Sequence, residues 1–333
     1  MNLAKVDQIA KTVLYEGYML YPYRPSSVKN RQRWNFGVVY PQAYSDAQGG
    51  EEPASMGTEC LVCGNADTVL EVKLRFLHLQ TRSNHESKEA GSSLPDGWQE
   101  ALERDVDLQH CSPETLCREP LRKTFAFPAE TQVDPEHASR GKAVGAVVRR
   151  QEAIQGTVDV AAERVGTDLF KVSVVVRNNT LLETFASTRD EALMHSLVST
   201  HLILSVEGGE FVSLLEPPAE LQELAAQCQN VGVWPVLVGE PGQRDTLLAS
   251  PIILYDYPQI APESAGDLFD GTEIDEILSL RILTLTEEEK HEIRQSDERA
   301  RQILERTESM PAEQFMKLHG AVRGLRPLGE GTP

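Results

Sequence analysis

Long apolar runs are missing from this sequence. No stretch approaches the roughly 18–20 residues of a membrane span. The first residues, MNLAKVDQIAKTVLYEG, are interrupted by Asp7, Lys11 and Glu16 where a secretory leader would be apolar. Both absences point to a cytoplasmic chain with no membrane insertion. Paired cysteines are missing too. Cys60, Cys63, Cys111, Cys117 and Cys228 make an odd count of 5 in 333 residues, which argues against a disulfide framework. Reduced thiols or one metal site fit that count better. Positive charge is scarce: 32 Lys and Arg stand against 51 Asp and Glu, for a formal net charge of −19. Such a chain offers no general positive field to nucleic acid or to an anionic membrane. Familiar catalytic signatures are also absent: no phosphate-cradling glycine loop, no dinucleotide fingerprint, no serine elbow and no H-E-x-x-H helix. The 8 histidines are scattered, and none sits in ligand spacing with another. These absences favour a binding role over catalysis.

The charge that is present is unevenly placed. Residues 1–41 carry 6 Lys and Arg against 2 Asp and Glu, a net of +4, which leaves −23 for the remainder. Within that basic start lies LYEGYMLYPYRPSSVKNRQRW, residues 14–34. It holds Tyr15, Tyr18, Tyr21, Tyr23 and Trp34 among Arg24, Lys29, Arg31 and Arg33. The Tyr21-Pro22 and Arg24-Pro25 pairs exclude a helix there. Aromatics between cations suit core or edge packing, stacking on a single strand of nucleic acid, or docking on an acidic protein surface. The acidity of the rest disfavours nucleic acid and leaves packing with docking. An opposite feature lies at residues 256–276, DYPQIAPESAGDLFDGTEIDE, with 7 acids, among them Asp256, Asp267, Asp270 and Glu273. Carboxylates so close could do acid–base work if their environments differed. Their spacing is not that of a calcium loop. An acidic docking surface is the reading between those two.

Cys60-Leu61-Val62-Cys63-Gly64 has the form of a metal knuckle, two thiolates at a spacing that grips one tetrahedral ion. It is half a site. The other half would have to be Cys111 and Cys117, which have 5 residues between them. Two free thiols near a turn is the competing reading.

Periodicity fills in the elements. Residues 3–14 carry helical spacing, and Thr68–Gln80 alternates with Val72, Leu74 and Phe76 on one face. Residues 156–177 read as a hairpin turning at Val165–Asp168, and HLILSV–EGGE–FVSLL as a second hairpin turning at Glu207–Glu210. Val231–Val238 with Thr246–Leu254 makes a third pair. Helices are predicted at Asp96–Arg104, Thr188–Leu197, Ala219–Cys228 and Thr286–Thr307. This order predicts an α+β fold: antiparallel sheet hairpins interleaved with helices, and a helical C-terminal segment. The division that follows is an N-terminal region (1–135), a sheet domain (136–260), an acidic helical segment (261–320) and a tail (321–333).

Residues 14–34, TECLV at 58–62, HLILSVEGGEFVSLLEPP at 201–218 and ILYDYPQIAPESAGDLFDGTEIDEIL at 253–278 together resemble an uncharacterised bacterial family. That family is encoded in gene clusters of [NiFe] uptake hydrogenases, and the similarity runs from about residue 13 to residue 290. The resemblance implies a cytoplasmic setting and a hydrogenase subunit or maturation protein as partner. It brings no catalytic residues. The family pattern has no second cysteine at the position of Cys63, which leaves the knuckle incidental. The leading expectation is therefore a non-catalytic accessory protein that binds and helps assemble or stabilise a hydrogenase, without a cofactor. The alternatives are a zinc- or iron-handling protein built on Cys60, Cys63, Cys111 and Cys117, and an enzyme working at the 256–276 loop.

Overall fold

One strand organises the molecule. The structure is a computed structural model, and it describes residues 9, 10, 13, 14, 35–86, 98–108, 110–137, 143–182, 188–259, 285–294 and 298–309. Strand β1 runs Ser55–Glu86, 32 residues, and four other strands pair with it. Along one edge β7 (Leu169–Asn178) pairs with residues 55–63, and β2 (Trp98–Asp107) with residues 73–82. Along the other edge β8 (Val198–Val212) covers residues 61–77, and β5 (Ala143–Gln151) covers residues 80–86. β8 then leads to β10 (Thr246–Ser250) and β9 (Trp234–Leu237).

The sheet curls because one hairpin serves both of its ends. β3 (Leu121–Phe127) pairs with β6 (Ile154–Gly166), and β4 (Glu130–His137) pairs with β5. Only Pro128-Ala129 and Glu152-Ala153 separate these halves. Proline cannot donate to a ladder, so the ribbon bends there. β6 joins β7 on one edge of β1, while β5 returns to the opposite edge. The enclosed face holds the main core: Val62, Leu70, Val72, Leu74 and Phe76 from β1, with Val158, Val160, Val172, Val174, Leu202, Leu204 and Phe211.

The outer face is covered in patches. Leu77 and Leu79 meet Leu14, Tyr40, Tyr44 and helix α3 (Arg189–Met194); helix α1 (Gln42–Ala47) carries Tyr44. Ile203, Val236 and Leu248 meet Ile9, Ala10 and Val13. Leu61, Leu169 and Val212 meet helix α4 (Gln222–Ala226). Helix α2 (Pro113–Leu116) contributes Leu116 to the enclosed core. No helix among the described residues is long and apolar enough to cross a membrane.

The antiparallel sheet is as predicted, but its context is not α+β. The chain is mainly-β, with few short helices. Two local corrections stand out. The helix expected at Asp96–Arg104 is strand β2 from Trp98 onward. Its Val106 faces the core, while Glu100 and Arg104 face a polar part of the same surface, so its alternation is hidden in charged residues. The hairpin expected at Glu207–Glu210 is not a reversal either. β8 passes straight through, pairing Glu207 with Val69 and Gly209 with Gly64. Gly208 alone takes a left-handed φ of +70°, and it kinks the strand instead of turning it. The extra residues belong to β1, whose Asn65–Thr68 bulge out between those two pairs. Fully buried Thr68 anchors the bulge, accepting from Asn65 N at 2.8 Å and donating to Gly208 O at 2.8 Å.

The hairpin at 156–177 matches β6 and β7, and the pair around residues 231–254 matches β9 and β10. Thr188 caps α3 with a full capping box to Glu191. Where one helix was predicted over Thr286–Thr307 there are two, α5 (Glu287–Arg294) and α6 (Glu298–Ser309). Lys290 and Arg294 both reach Glu308, at 3.2 and 2.7 Å. Residues 14 and 18 positions apart would lie about 21–27 Å apart on one rod, so α5 and α6 pack against each other instead of continuing as one helix. β4 crosses the 135/136 boundary, and the sheet takes strands from both sides of it.

Candidate functional site

The inner face of β1 changes character at Phe76. On the core side Val72, Leu74 and Phe76 are followed by His78, Gln80 and Arg82, while the outward positions become Leu77 and Leu79. Residues opposite each other in an antiparallel pair point the same way, so the register assembles a polar surface in rows. Gln80 lies between Glu100 of β2 and Gln151 of β5, and Gln151 is followed by Glu130 of β4. In the next row Arg82 neighbours Arg149, which neighbours Gln132. Phe76 is opposite Arg104, and His78 opposite Leu102.

These rows line an open cavity of about 370 Å³ bordered by Gln80, Leu102, Arg104, Glu130, Gln132, Arg149 and Gln151. Glu100 is its buried hub. Its carboxylate accepts from Arg82 Nη1 at 3.1 Å, Arg149 Nε at 2.9 Å and Gln80 Nε2 at 3.0 Å. Arg149 also donates to Asp134. Arg104 is held differently. Its guanidinium lies 4.8 Å from the ring centre of Phe127 and donates from Nη2 to Gln151 Oε1 at 2.9 Å. Gln151 donates in turn to Pro128 O at 2.9 Å. Phe76, Phe125 and Phe127 pack edge to tilted face at 5.8–6.1 Å and separate the cavity from the aliphatic core.

His78 is fully buried beside this cluster and donates from Nε2 to Glu152 O at 2.9 Å. A carbonyl only accepts, so Nε2 carries the proton and Nδ1 is a bare acceptor with no partner. Burial, helped by the nearby Arg104 charge, lowers its pKa to about 4. A second buried imidazole, His201, donates from Nδ1 to Ser199 O at 2.7 Å and receives Ser250 Oγ at Nε2 at 3.2 Å. Ser199 takes a left-handed φ of 52°. The Ser250–His201 contact has the form of a nucleophile and base, but both groups are enclosed, and burial lowers His201 to about 4. It works as a clamp on the end of β10, where Ser250 Oγ also accepts from Ile252 N.

The four cysteines of the metal reading are not brought together. A knuckle needs a turn, and residues 55–63 are paired strand, so Cys60 and Cys63 fall on opposite faces. Cys60 is in the enclosed core, where burial raises its pKa strongly; Cys63 packs outside, near Leu61. Cys111 bridges to Leu70, which pairs with Val206 of β8, while Leu61 pairs with Val212. Those six residues of β8 correspond to about 20 Å along the strand. Cys117 is exposed at the end of α2. Among the described residues no group of three His, Cys, Asp or Glu side chains is placed to hold a metal ion.

Asp256 has an architectural setting: it accepts from Ser213 Oγ and from Leu237 N at 2.8 Å, joining the end of β8 to edge strand β9. Tyr15, Tyr18, Tyr21, Tyr23, Arg24, Lys29, Arg31, Arg33 and Trp34 lie outside the described residues, as do Asp267, Asp270 and Glu273. Sequence reasoning missed the cavity. Its signal was the reversal of polarity within FLHLQTR at residues 76–82. No protein-family model matches the chain, and no curated protein matches it.

Proposed function

We propose that this chain is a non-catalytic accessory protein that binds and helps assemble or stabilise a [NiFe] hydrogenase, with a hydrogenase subunit or maturation protein as its partner. The partner class rests on the resemblance at residues 14–34, 58–62, 201–218 and 253–278. Binding is favoured over chemistry by the state of the reactive side chains. His78 and His201 are buried and neutral, the Cys60 thiol is buried with a raised pKa, and Asp256 is committed to two donors. That engagement of the reactive groups carries the reading. The basic, tyrosine-rich residues 14–34 supply its docking segment, with Arg31 and Arg33 steering an acidic partner.

A tagged chain expressed in its native host should retain a hydrogenase subunit or maturation protein through affinity purification, identified by mass spectrometry. Arg31→Glu with Arg33→Glu should weaken that capture, and the loss should deepen as salt rises. A eluate in which neither kind of hydrogenase protein exceeds an untagged control would sink the proposal.

A further inference from the structure

We propose that the cavity framed by β2, β1, β5 and β4 binds a carboxylate carried on a small, hydrogen-bonding body, with Arg104 as its anchor. This site is independent of any hydrogenase partner. The volume of about 370 Å³ lies at the lower end of small-ligand sites. Its lining suits one class of guest. Gln80, Gln132 and Gln151 place three side-chain amides around the space. Each amide carries both donors and acceptors, which matches amide, amine or hydroxyl groups on a ligand body.

Charge selects the anchor. Arg82 and Arg149 are both paired with Glu100, and Arg149 also with Asp134. Arg104 is the cation of this cavity that meets no carboxylate among the described residues. Its acceptor is the neutral Gln151 amide, its Nε is buried without a partner, and its flat face rests on Phe127. A guanidinium held by an aromatic ring loses little freedom when it takes a planar acceptor. Beside it, His78 keeps a buried, unpartnered Nδ1. The surroundings also decide which anion fits. Glu100 and Asp134 are taken up by Arg82 and Arg149, and Glu130 borders the cavity itself, so the cavity's one guanidinium without a carboxylate among the described residues, Arg104, suits a monoanionic carboxylate. A phosphate dianion would bring its second charge beside Glu130. The carboxylate could belong to a free organic acid or to a peptide C-terminus.

Calorimetric titration of the full chain separates the outcomes. The probes are lactate, N-acetyl-glycyl-glycine, the C-terminal amide of that dipeptide, and inorganic phosphate. Each is taken to about 10 mM, enough to saturate a site of millimolar Kd. At least one carboxylate probe should bind at one equivalent, and the amide should not displace it. Preference for lactate identifies a free acid, and preference for the dipeptide identifies a chain terminus. Arg104→Gln should weaken binding about tenfold or more, the effect of losing a charge-assisted contact. Glu130→Gln alters an exposed side chain and leaves the fold intact; it should tighten binding about two- to threefold by removing a like charge. The proposal is overturned if neither carboxylate probe binds, if phosphate binds more tightly than both, or if Glu130→Gln leaves affinity unchanged.

Discussion

Glu100→Ala tests whether the polar rows are a structural unit. Glu100 is 7% exposed, and its two oxygens serve three donors, two of them guanidinium groups. The Arg82 and Arg149 side chains are 13% and 26% exposed. Truncation removes the acceptor they share and leaves both charges largely desolvated. Breaking a buried pair from one side costs about 3–5 kcal/mol. Arg149 retains Asp134 and is the more hydrated of the two, so about 2–4 kcal/mol is the expected loss. Urea titration followed by circular dichroism should show a lower midpoint with an unchanged m-value. The control is Glu100→Leu with Arg82→Met and Arg149→Met. Replacing all three charges by apolar groups removes the desolvation term and should restore stability to within about 1 kcal/mol of wild type. A loss below about 1 kcal/mol for Glu100→Ala, the range of exposed ion pairs, would refute the reasoning.

Gly209→Ala should cost about 1–3 kcal/mol, because its Cβ would stand 2.8 Å from Cys63 O. Adding Thr68→Ala would relieve the contact with Thr68 Cγ2, also at 2.8 Å, but not the one with the Cys63 backbone, so it should not restore wild-type stability; chemical denaturation of both variants decides. His78 and His201, each held at about 4 against an ordinary value near 6.5, refuse protons that the unfolded chain accepts. Stability should therefore fall as pH drops from about 6.5 towards 4, by about 2 kcal/mol per histidine at pH 5. His201→Asn should flatten that slope by roughly one histidine's share between pH 7 and pH 5, and an unchanged slope would show that His201 does not contribute. Thr188→Ala removes the cap of α3 and should lower stability by about 0.5–2 kcal/mol in the same assay. Under native conditions a thiol reagent should label exposed Cys117 first and reach Cys60 only on unfolding; mass mapping of Cys60 in the first fraction would contradict the burial described for it.

The pairing partners of local elements were legible, and the path of the sheet was not. β6 with β7, and β9 with β10, are joined by short connections, so adjacent sequence signals were enough to pair them. β1 takes partners from four distant places, and nothing in Ser55–Glu86 names them. The Glu207–Glu210 misreading shows the limit most clearly. Two glycines between apolar runs are the usual mark of a reversal. Here Gly208 supplies a kink, and Gly209 supplies room for Cys63 O and Thr68 of the opposing strand. A close approach across 140 residues and a tight turn leave the same letters in the sequence.

The cavity was hidden for a related reason. A strand with one wet and one dry face alternates with constant phase. In β1 the phase is lost: Val72, Leu74 and Phe76 face inward, and then Leu77 and Leu79 face outward. A break of that kind means that each face is dry over part of its length. Over residues 69–76 the inner face is closed by the curl of the sheet, and over residues 77–82 the outer face is covered by α3 and Tyr40. The side left polar at residues 78–82 is then available to bind. The same logic applies to β2, where Glu100 and Arg104 take inward positions while Glu103, Asp105 and Asp107 lie on the other face. Charged residues placed on the inside of a curled sheet require partners, and the Glu100 rows supply them for Arg82 and Arg149. Arg104 is supplied with an amide and an aromatic ring instead, which leaves its charge for a guest.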